Sequence, residues 1–386
     1  MQINYPSRFE VYGAVKFYEL IRVYSLFAVG YQRSGFYSLP TFRDLEDIAS
    51  TTAIVIPVRD EDLFALEGVL RAIPIYSPVI IVSASSRSPI NIHNMEIDIA
   101  RSIYKTTGRT IVVIHQKDPL LGEILGESIP DILDNDNTVR YGKGEGLLLG
   151  ILVADGLRAS NIGFIDADNY VPGAVLEYTM IYYTVLGMSE TRYKMVRIAW
   201  GYKAWGIGEF YLRRLGRASG IVNTVLNKIL SSRRNIETDI VKTSNSGEHA
   251  MSMDLARELV YGGGYSVETQ ELVTILENCY VDISEGNCPS LPENIEIYQV
   301  ETRNPHVHAE KGEKHIANMV VDSLSAIYYS KLANDRNKEL IVNALRELGY
   351  EGEPTPPRRY RYPRLHGKKI LDTLIGESKL SVSFGL

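Results

Sequence analysis

"TTAIVIPVRDE", residues 51 to 61, is a β-branched apolar run that ends in charge. A run of that kind suits a strand buried on both faces, with Pro57 near the point where pairing stops. The next segment, "DLFALEGVLRAI", repeats its apolar residues at helical spacing. Two further apolar runs follow, "PVIIVSAS" (78–85) and "RTIVVIHQKD" (109–118), with a polar helical stretch over 92–105 between them. Strand, helix, strand, helix, strand implies right-handed crossovers and a mainly parallel sheet with helices on both faces. The polar excursion "PDILDNDNTVR" (130–140) leads to "YGKGEG", the helix-like "LLLGILVADGL" and a fourth strand, "NIGFID". The expected fold class is α/β.

Outward from this block the pattern is weaker. Residues 1–50 form an aromatic-rich lead-in whose periodicity leaves its structure open. The second half predicts a strand at "KMVRIAW" (194–200), helices over 246–259 and 267–277, a strand-like stretch over 295–308, and a long helix from about 313 to 332. The Pro-rich "EPTPPRRYRYP" (353–363) reads as an extended connector to a C-terminal tail.

The chain has 386 residues, 45% of them apolar, enough for one large domain or two of ordinary size. With 41 basic against 47 acidic residues the net charge is -6, which argues against a general nucleic-acid binder, so any anion site must be local. No apolar run reaches the length of a membrane helix, and the N-terminus lacks the shape of a signal peptide; a cytoplasmic protein with no membrane partner is the expectation. Cys279 and Cys288 form no CxxC pattern, and a single bridge between them is the one disulfide the composition allows.

Several short motifs carry chemistry. "GFIDADNY" (163–170) places Asp166 and Asp168 at the C-terminal end of the fourth strand, the edge where open α/β sheets bind ligands. Two carboxylates at that spacing suit a hard ion such as Mg2+ or Mn2+; solvated turn residues are the ordinary alternative. "ETRNPHVHAEKG" (301–312) holds His306 and His308, and His315 follows within ten positions of the first. Hydrogen-bonded surface imidazoles are the ordinary reading, and one metal-binding imidazole is the functional one.

"YGKGEG" (141–146) is neither a dinucleotide fingerprint nor a P-loop, but its small residues and Lys143 would let a backbone and an ammonium approach an anion. "RRLGRASG" (213–220) offers Arg213, Arg214, Arg217 and Ser219 before a helix, a phosphate site or a solvated charge run. "SNSGEHAMSMD" (244–254) sets Glu248 and His249 at what reads as a helix start. Together these supply a cation on carboxylates, a diphosphate on the cation and a second anion on arginines. Transfer from a nucleotide-activated donor needs those parts.

The ordered set "AIVIPVRDE", "HQKDP", "GKGEG", "GFIDADNYVPGAV", "MVRIAW", "LRRLGR", "SNSGEHA" and "ETRNPHVHAEKGE" resembles the mannosyl-3-phosphoglycerate synthase family from about residue 50 to 335. The resemblance implies a retaining glycosyltransferase of GT-A fold that moves mannose from GDP-mannose to 3-phosphoglycerate, a step toward the compatible solute mannosylglycerate of thermophiles. It implies Asp166 and Asp168 as the DxD pair, with Asp168 the direct metal ligand and His308 preferred over His306 to complete the shell of a Mg2+ ion, Mn2+ or Co2+ being the alternatives.

It further implies that Pro57, Val58, Arg59, Glu61 and Lys143 hold the nucleotide. Gly216, Arg217 and Ser219 match a Gly-Arg-x-Thr acceptor segment of the related glucosyl-3-phosphoglycerate synthases, Ser replacing Thr. Glu248 is the one candidate nucleophile, set against front-face attack assisted by the leaving phosphate. The corresponding layout is a lead-in over 1–50, a donor part over 51–200, an acceptor part over 201–350 that supplies the metal His, and a tail over 351–386. A homodimer is one option for its assembly. The rival readings are a glucosyl-3-phosphoglycerate synthase, a sugar nucleotidyltransferase and a ligand-binding protein without turnover.

Overall fold

The computed structural model describes residues 2–3, 8–25, 42–204, 212–213, 216–282, 294–308, 312–363, 365 and 367–386. Cys288, and with it the expected bridge to Cys279, lies outside them. The strands are β1 (Gln2–Ile3), β2 (Phe9–Tyr12), β3 (Val15–Ser25), β4 (Thr52–Val58), β5 (Val79–Ser83), β6 (Ile111–His115), β7 (Asn161–Phe164), β8 (Tyr193–Ala199), β9 (Lys203–Ala204), β10 (Leu212–Arg213), β11 (His249–Ser252), β12 (Val260–Gly262), β13 (Ile295–Glu301), β14 (Arg359–Arg361) and β15 (Val382–Phe384). The main sheet runs β1-β3-β13-β8-β11-β7-β4-β5-β6-β15, with β2 paired to β3. Strands β6, β5, β4 and β7 are parallel, as the strand–helix alternation predicts.

The helices are α1 (Phe42–Ser50), α2 (Leu63–Ala72), α3 (Ile92–Thr107), α4 (Pro119–Leu125), α5 (Lys143–Gly156), α6 (Pro172–Met188), α7 (Arg217–Arg234), α8 (Met253–Ala256), α9 (Val267–Leu276), α10 (Glu313–Tyr328), α11 (Asp335–Glu347) and α12 (Gly367–Glu377). Two apolar layers cover the faces of the sheet. Val55, Val82 and Ile114 pack under α5 on one side, and Ile54, Ile56 and Ile81 pack against α2 and α6 on the other, the alternation a pleated strand imposes. α5 lies close enough to the sheet that a Cβ on Gly150 would meet the Val55 side chain at 2.4 Å. Among the described residues no helix is long and apolar enough to cross a membrane.

The structure departs from the sequence expectations in three places. The helix expected over 246–259 is instead β11, antiparallel between β7 and β8, followed by the single-turn α8. Its polar residues resemble the wet face of a helix, but those of β11 are buried and partnered: His249 Nε2 lies 3.2 Å from Glu271 Oε1. The strand over 295–308 stops at Glu301, because the Glu177 carboxylate accepts the N–H groups of Arg303 and Asn304 and turns the chain. The long helix ends at Tyr328 rather than near 332.

The lead-in and the C-terminal segment both join the sheet. Tyr18 of β3 stacks on Tyr298 of β13 with ring centres 4.3 Å apart, and β15 pairs with β6 at the other edge.

Candidate functional site

Four parallel strands send their C-terminal ends into one cleft of about 590 Å3. Pro57, Val58, Arg59 and Glu61 come from the end of β4, Ala84 from β5, Gln116 from β6, and Asp166 and Asp168 from β7, with Lys143 at the start of α5. The strand order reverses between β4 and β7, and such a switch point opens a crevice for ligands. The far wall is Gly264, Tyr265 and one face of α10, where His315, Met319 and Asp322 recur at helical spacing.

The turn after β4 is held in a conformation that side chains rarely adopt. Asp60 has φ of 53°, its N–H donates to Ser85 Oγ at 2.8 Å, and its carboxylate accepts from the Ser86 N–H at 2.7 Å. Left-handed backbone at a residue with a Cβ costs about 1 kcal/mol, which these bonds offset. The turn delivers Arg59 and Glu61 to the cleft.

Lys143 opens α5 with its ammonium 2.7 Å from Asp166 Oδ1 and 2.9 Å from Glu268 Oε1. Burial works to depress its pKa, but the Asp166 and Glu268 carboxylates outweigh burial and hold it well above the ordinary lysine value. The glycine beside Glu248 permits this approach: a Cβ on Gly247 would stand 2.6 Å from Asp166 Oδ2 and 2.9 Å from Lys143 Nζ.

Asp168 is 6% exposed and Glu248 is fully buried. Both Glu248 carboxylate oxygens lack a hydrogen-bond partner among the described residues. Burial first, and Asp166 next, push the Glu248 carboxyl up to about 8. Glu248 Oε1 lies 3.9 Å from His306 Nδ1.

The histidine segment is fastened to the aspartate loop. The Tyr170 N–H donates to the Val307 carbonyl at 2.8 Å, and His306 Nδ1 lies 3.1 Å from Tyr178 Oη and 3.3 Å from Asn169 Nδ2. His306 is buried, and burial depresses its pKa well below the ordinary histidine value. His308 is half-buried beside it, with ring centres 5.2 Å apart. Among the described residues no three His, Cys, Asp or Glu side chains assemble a ready-made metal site.

The basic segment lies at the start of α7, where Gly216 is the N-cap residue and Ser219 is buried. Arg214 and the side chains of Arg213 and Arg217 lie outside the described residues.

Sequence reasoning assigned no role to Gln116, Glu268, Tyr265 or Asp322. Gln116 stands in the quoted "HQKDP", but Glu268 and Asp322 read as ordinary helical polar residues, and only tertiary packing brings Glu268 to Lys143 and Asp322 to the cleft wall. The sequence gives His315 no role beyond its nearness to His306 and His308; its Nδ1 lies 3.3 Å from Tyr265 Oη.

The family model described as mannosyl-3-phosphoglycerate synthase matches residues 5–372. A mannosyl-3-phosphoglycerate synthase of Aeropyrum pernix is 45% identical over 388 residues, covering 100% of both chains. One from Pyrococcus furiosus is 39% identical over 396 residues, again covering 100% of each. A solved structure of glucosyl-3-phosphoglycerate synthase from Mycobacterium tuberculosis is similar at 18% identity and a TM-score of 0.49, over 86% of this chain and 94% of that one. A likeness so distant carries no inference about ligands.

Proposed function

The chain belongs to the mannosyl-3-phosphoglycerate synthase family, and on that premise we propose that it moves mannose from GDP-mannose to 3-phosphoglycerate with retention at the anomeric carbon. The observation that supports this most directly is the convergence of Pro57–Glu61, Lys143, Asp166 and Asp168 on one cleft at the switch point of the sheet. In this reading the β4 turn and Lys143 hold the nucleotide diphosphate, and the Gly216–Ser219 segment, with Arg217, receives the acceptor. The proposed place of reaction is the cytoplasm, where nucleotide sugars and phosphoglycerate occur.

The residues present suit a divalent cation, Mg2+ in this proposal. Asp oxygens are hard donors, and the buried Glu248 oxygens, unpartnered among the described residues, belong to an acidic group that a cation would stabilise. Asp168 and His308 would hold the ion. Lys143 already engages Asp166, and His306 is tied to Tyr178 and Asn169. Donor phosphate oxygens would complete the shell, and the ion would offset charge on the leaving diphosphate.

The Lys143 ammonium, raised toward permanent charge, serves the same end from the protein side. Burial and the neighbouring Asp166 favour the neutral form of Glu248, a poor nucleophile, and on that ground we propose front-face attack, in which the leaving phosphate takes the proton of the acceptor hydroxyl.

The test is a product assay with purified protein, 3-phosphoglycerate and a panel of GDP-mannose, GDP-glucose and UDP-glucose, with and without Mg2+. Mannosyl-3-phosphoglycerate and GDP should form from GDP-mannose in a Mg2+-dependent way. Preferential turnover of UDP-glucose would replace the donor assignment, and pyrophosphate release from nucleoside triphosphate would replace the reaction class.

A further inference from the structure

A buried chain of polar groups, none of them used by the proposed reaction, fastens the turn after β4. Its members are Ser85, two residues beyond β5, Glu96 and His93 of α3, and His115 at the end of β6; each is at most 1% exposed. None of the four lines the donor cleft.

Ser85 is the node. Its N–H donates to Ser83 Oγ at 3.3 Å, its carbonyl accepts from His115 Nε2 at 3.0 Å, and its hydroxyl donates to Glu96 Oε1. The Lys117 N–H donates to His115 Nδ1 at 3.0 Å, which leaves the hydrogen on Nε2 for that carbonyl. A hydroxyl has one proton. With that proton on Glu96, the Ser85 oxygen presents a lone pair, and this accepts the Asp60 N–H at 2.8 Å. Asp60 is the left-handed residue between Arg59 and Glu61.

The second Glu96 oxygen points to an anchor. Glu96 Oε2 and His93 Nδ1 are buried, lack a hydrogen-bond partner among the described residues and lie 3.6 Å apart. His93 Nε2 is 2.9 Å from the Leu380 carbonyl, which only accepts, so Nε2 bears hydrogen and Nδ1 faces the carboxylate. A proton held between Nδ1 and Oε2 would satisfy both atoms.

We propose that Glu96 is a positioning residue for the donor: it orients the Ser85 hydroxyl, and through it the Asp60 turn that presents Arg59 and Glu61 to the nucleotide. That Arg59 and Glu61 meet a nucleotide rests on the proposed function. Left-handed backbone at a residue with a Cβ persists only where its surroundings impose it. Without the carboxylate the Ser85 proton is free to turn toward the Asp60 N–H, the bond is lost, and the turn relaxes away from the cleft.

The test compares the full-length wild type with Glu96→Ala, Glu96→Gln, Ser85→Ala and the double variant Glu96→Ala with Ser85→Ala. GDP binding with Mg2+ is read by calorimetry and the KM for each substrate by steady-state assay, with circular dichroism and thermal midpoints checking the fold. Glu96→Ala should weaken GDP binding and raise the KM for GDP-mannose about tenfold, with the KM for 3-phosphoglycerate at saturating donor within about twofold of wild type. A group that served stability alone would lower the midpoint without splitting the two KM values. Glu96→Gln keeps an oxygen that accepts the Ser85 proton and should recover most of the affinity. The double variant should bind GDP no more weakly than Ser85→Ala, because Glu96 acts through Ser85. Unchanged GDP affinity in Glu96→Ala, an equal loss for 3-phosphoglycerate, or additive losses in the double variant overturn the role of Glu96. A wild type that binds no GDP in the presence of Mg2+ overturns the nucleotide reading as well.

Discussion

At Glu248 the pH dependence of stability has a definite sign. Its carboxyl is pushed up to about 8 in the fold against 4.5 ordinarily, so its neutral form is the one the fold accommodates. That contribution is fully present below pH 4.5 and is lost as pH rises through 8. Urea denaturation of the metal-free wild type should therefore show stability falling between pH 5 and 9, and Glu248→Gln should flatten that slope; parallel slopes would refute it. At Asp168, Asp168→Ala should cut GDP release by about 10^3-fold, the scale expected when charge stabilisation of a leaving group is lost, with the thermal midpoint within a few degrees of wild type. Activity within tenfold of wild type at saturating Mg2+ would remove Asp168 from the metal role.

At the scale of elements, two loops must meet for the site to exist, and α6 is the part that joins them. α6 starts four residues after Asp168, and its Glu177 accepts the N–H groups of Arg303 and Asn304 at 2.7 and 2.8 Å and the Asn304 side-chain amide at 2.9 Å. Glu177→Ala leaves part-buried donors without an acceptor, each costing up to about 1–3 kcal/mol. The measured unfolding free energy should fall by about 2–4 kcal/mol, and Mn2+ affinity read by calorimetry in the presence of GDP should weaken, because His308 loses its fixed approach. An undiminished Mn2+ affinity would show that the clamp serves stability alone. The same scale explains the misread segment 246–259: helical periodicity assumes that polar residues face water, whereas β11 is central and its polar side chains find partners inside.

The whole molecule is organised around one sheet that draws on both ends of the chain. At one edge β3 carries the aromatic lead-in onto β13. At the other, β15 covers β6, the Asp118 carboxylate accepts the hydroxyls of Ser378 and Ser381, and His93 Nε2 lies 2.9 Å from the Leu380 carbonyl. Truncation after Glu377 removes all three contacts and bares a strand edge, a template for association. Such a protein should melt several degrees lower and form soluble aggregates by size-exclusion chromatography; a monodisperse product with an unchanged midpoint would mean the edge is protected in another way.

The chain's own residues determined the alternation of strands and helices from 51 to 164, because apolar periodicity there is local and strong. Strand direction also put Asp166 and Asp168 at the ligand edge of the sheet, whereas Pro57–Glu61 came only from the family resemblance and Lys143 from its place in a glycine-rich turn. What only tertiary structure decided depends on contacts between residues far apart in sequence. His306 differs from His308 because Tyr178 and Asn169 occupy one and not the other. Glu268 reaches Lys143 across 125 positions. Periodicity reports which face of an element is buried, and it carries no information about which distant side chain that face will meet.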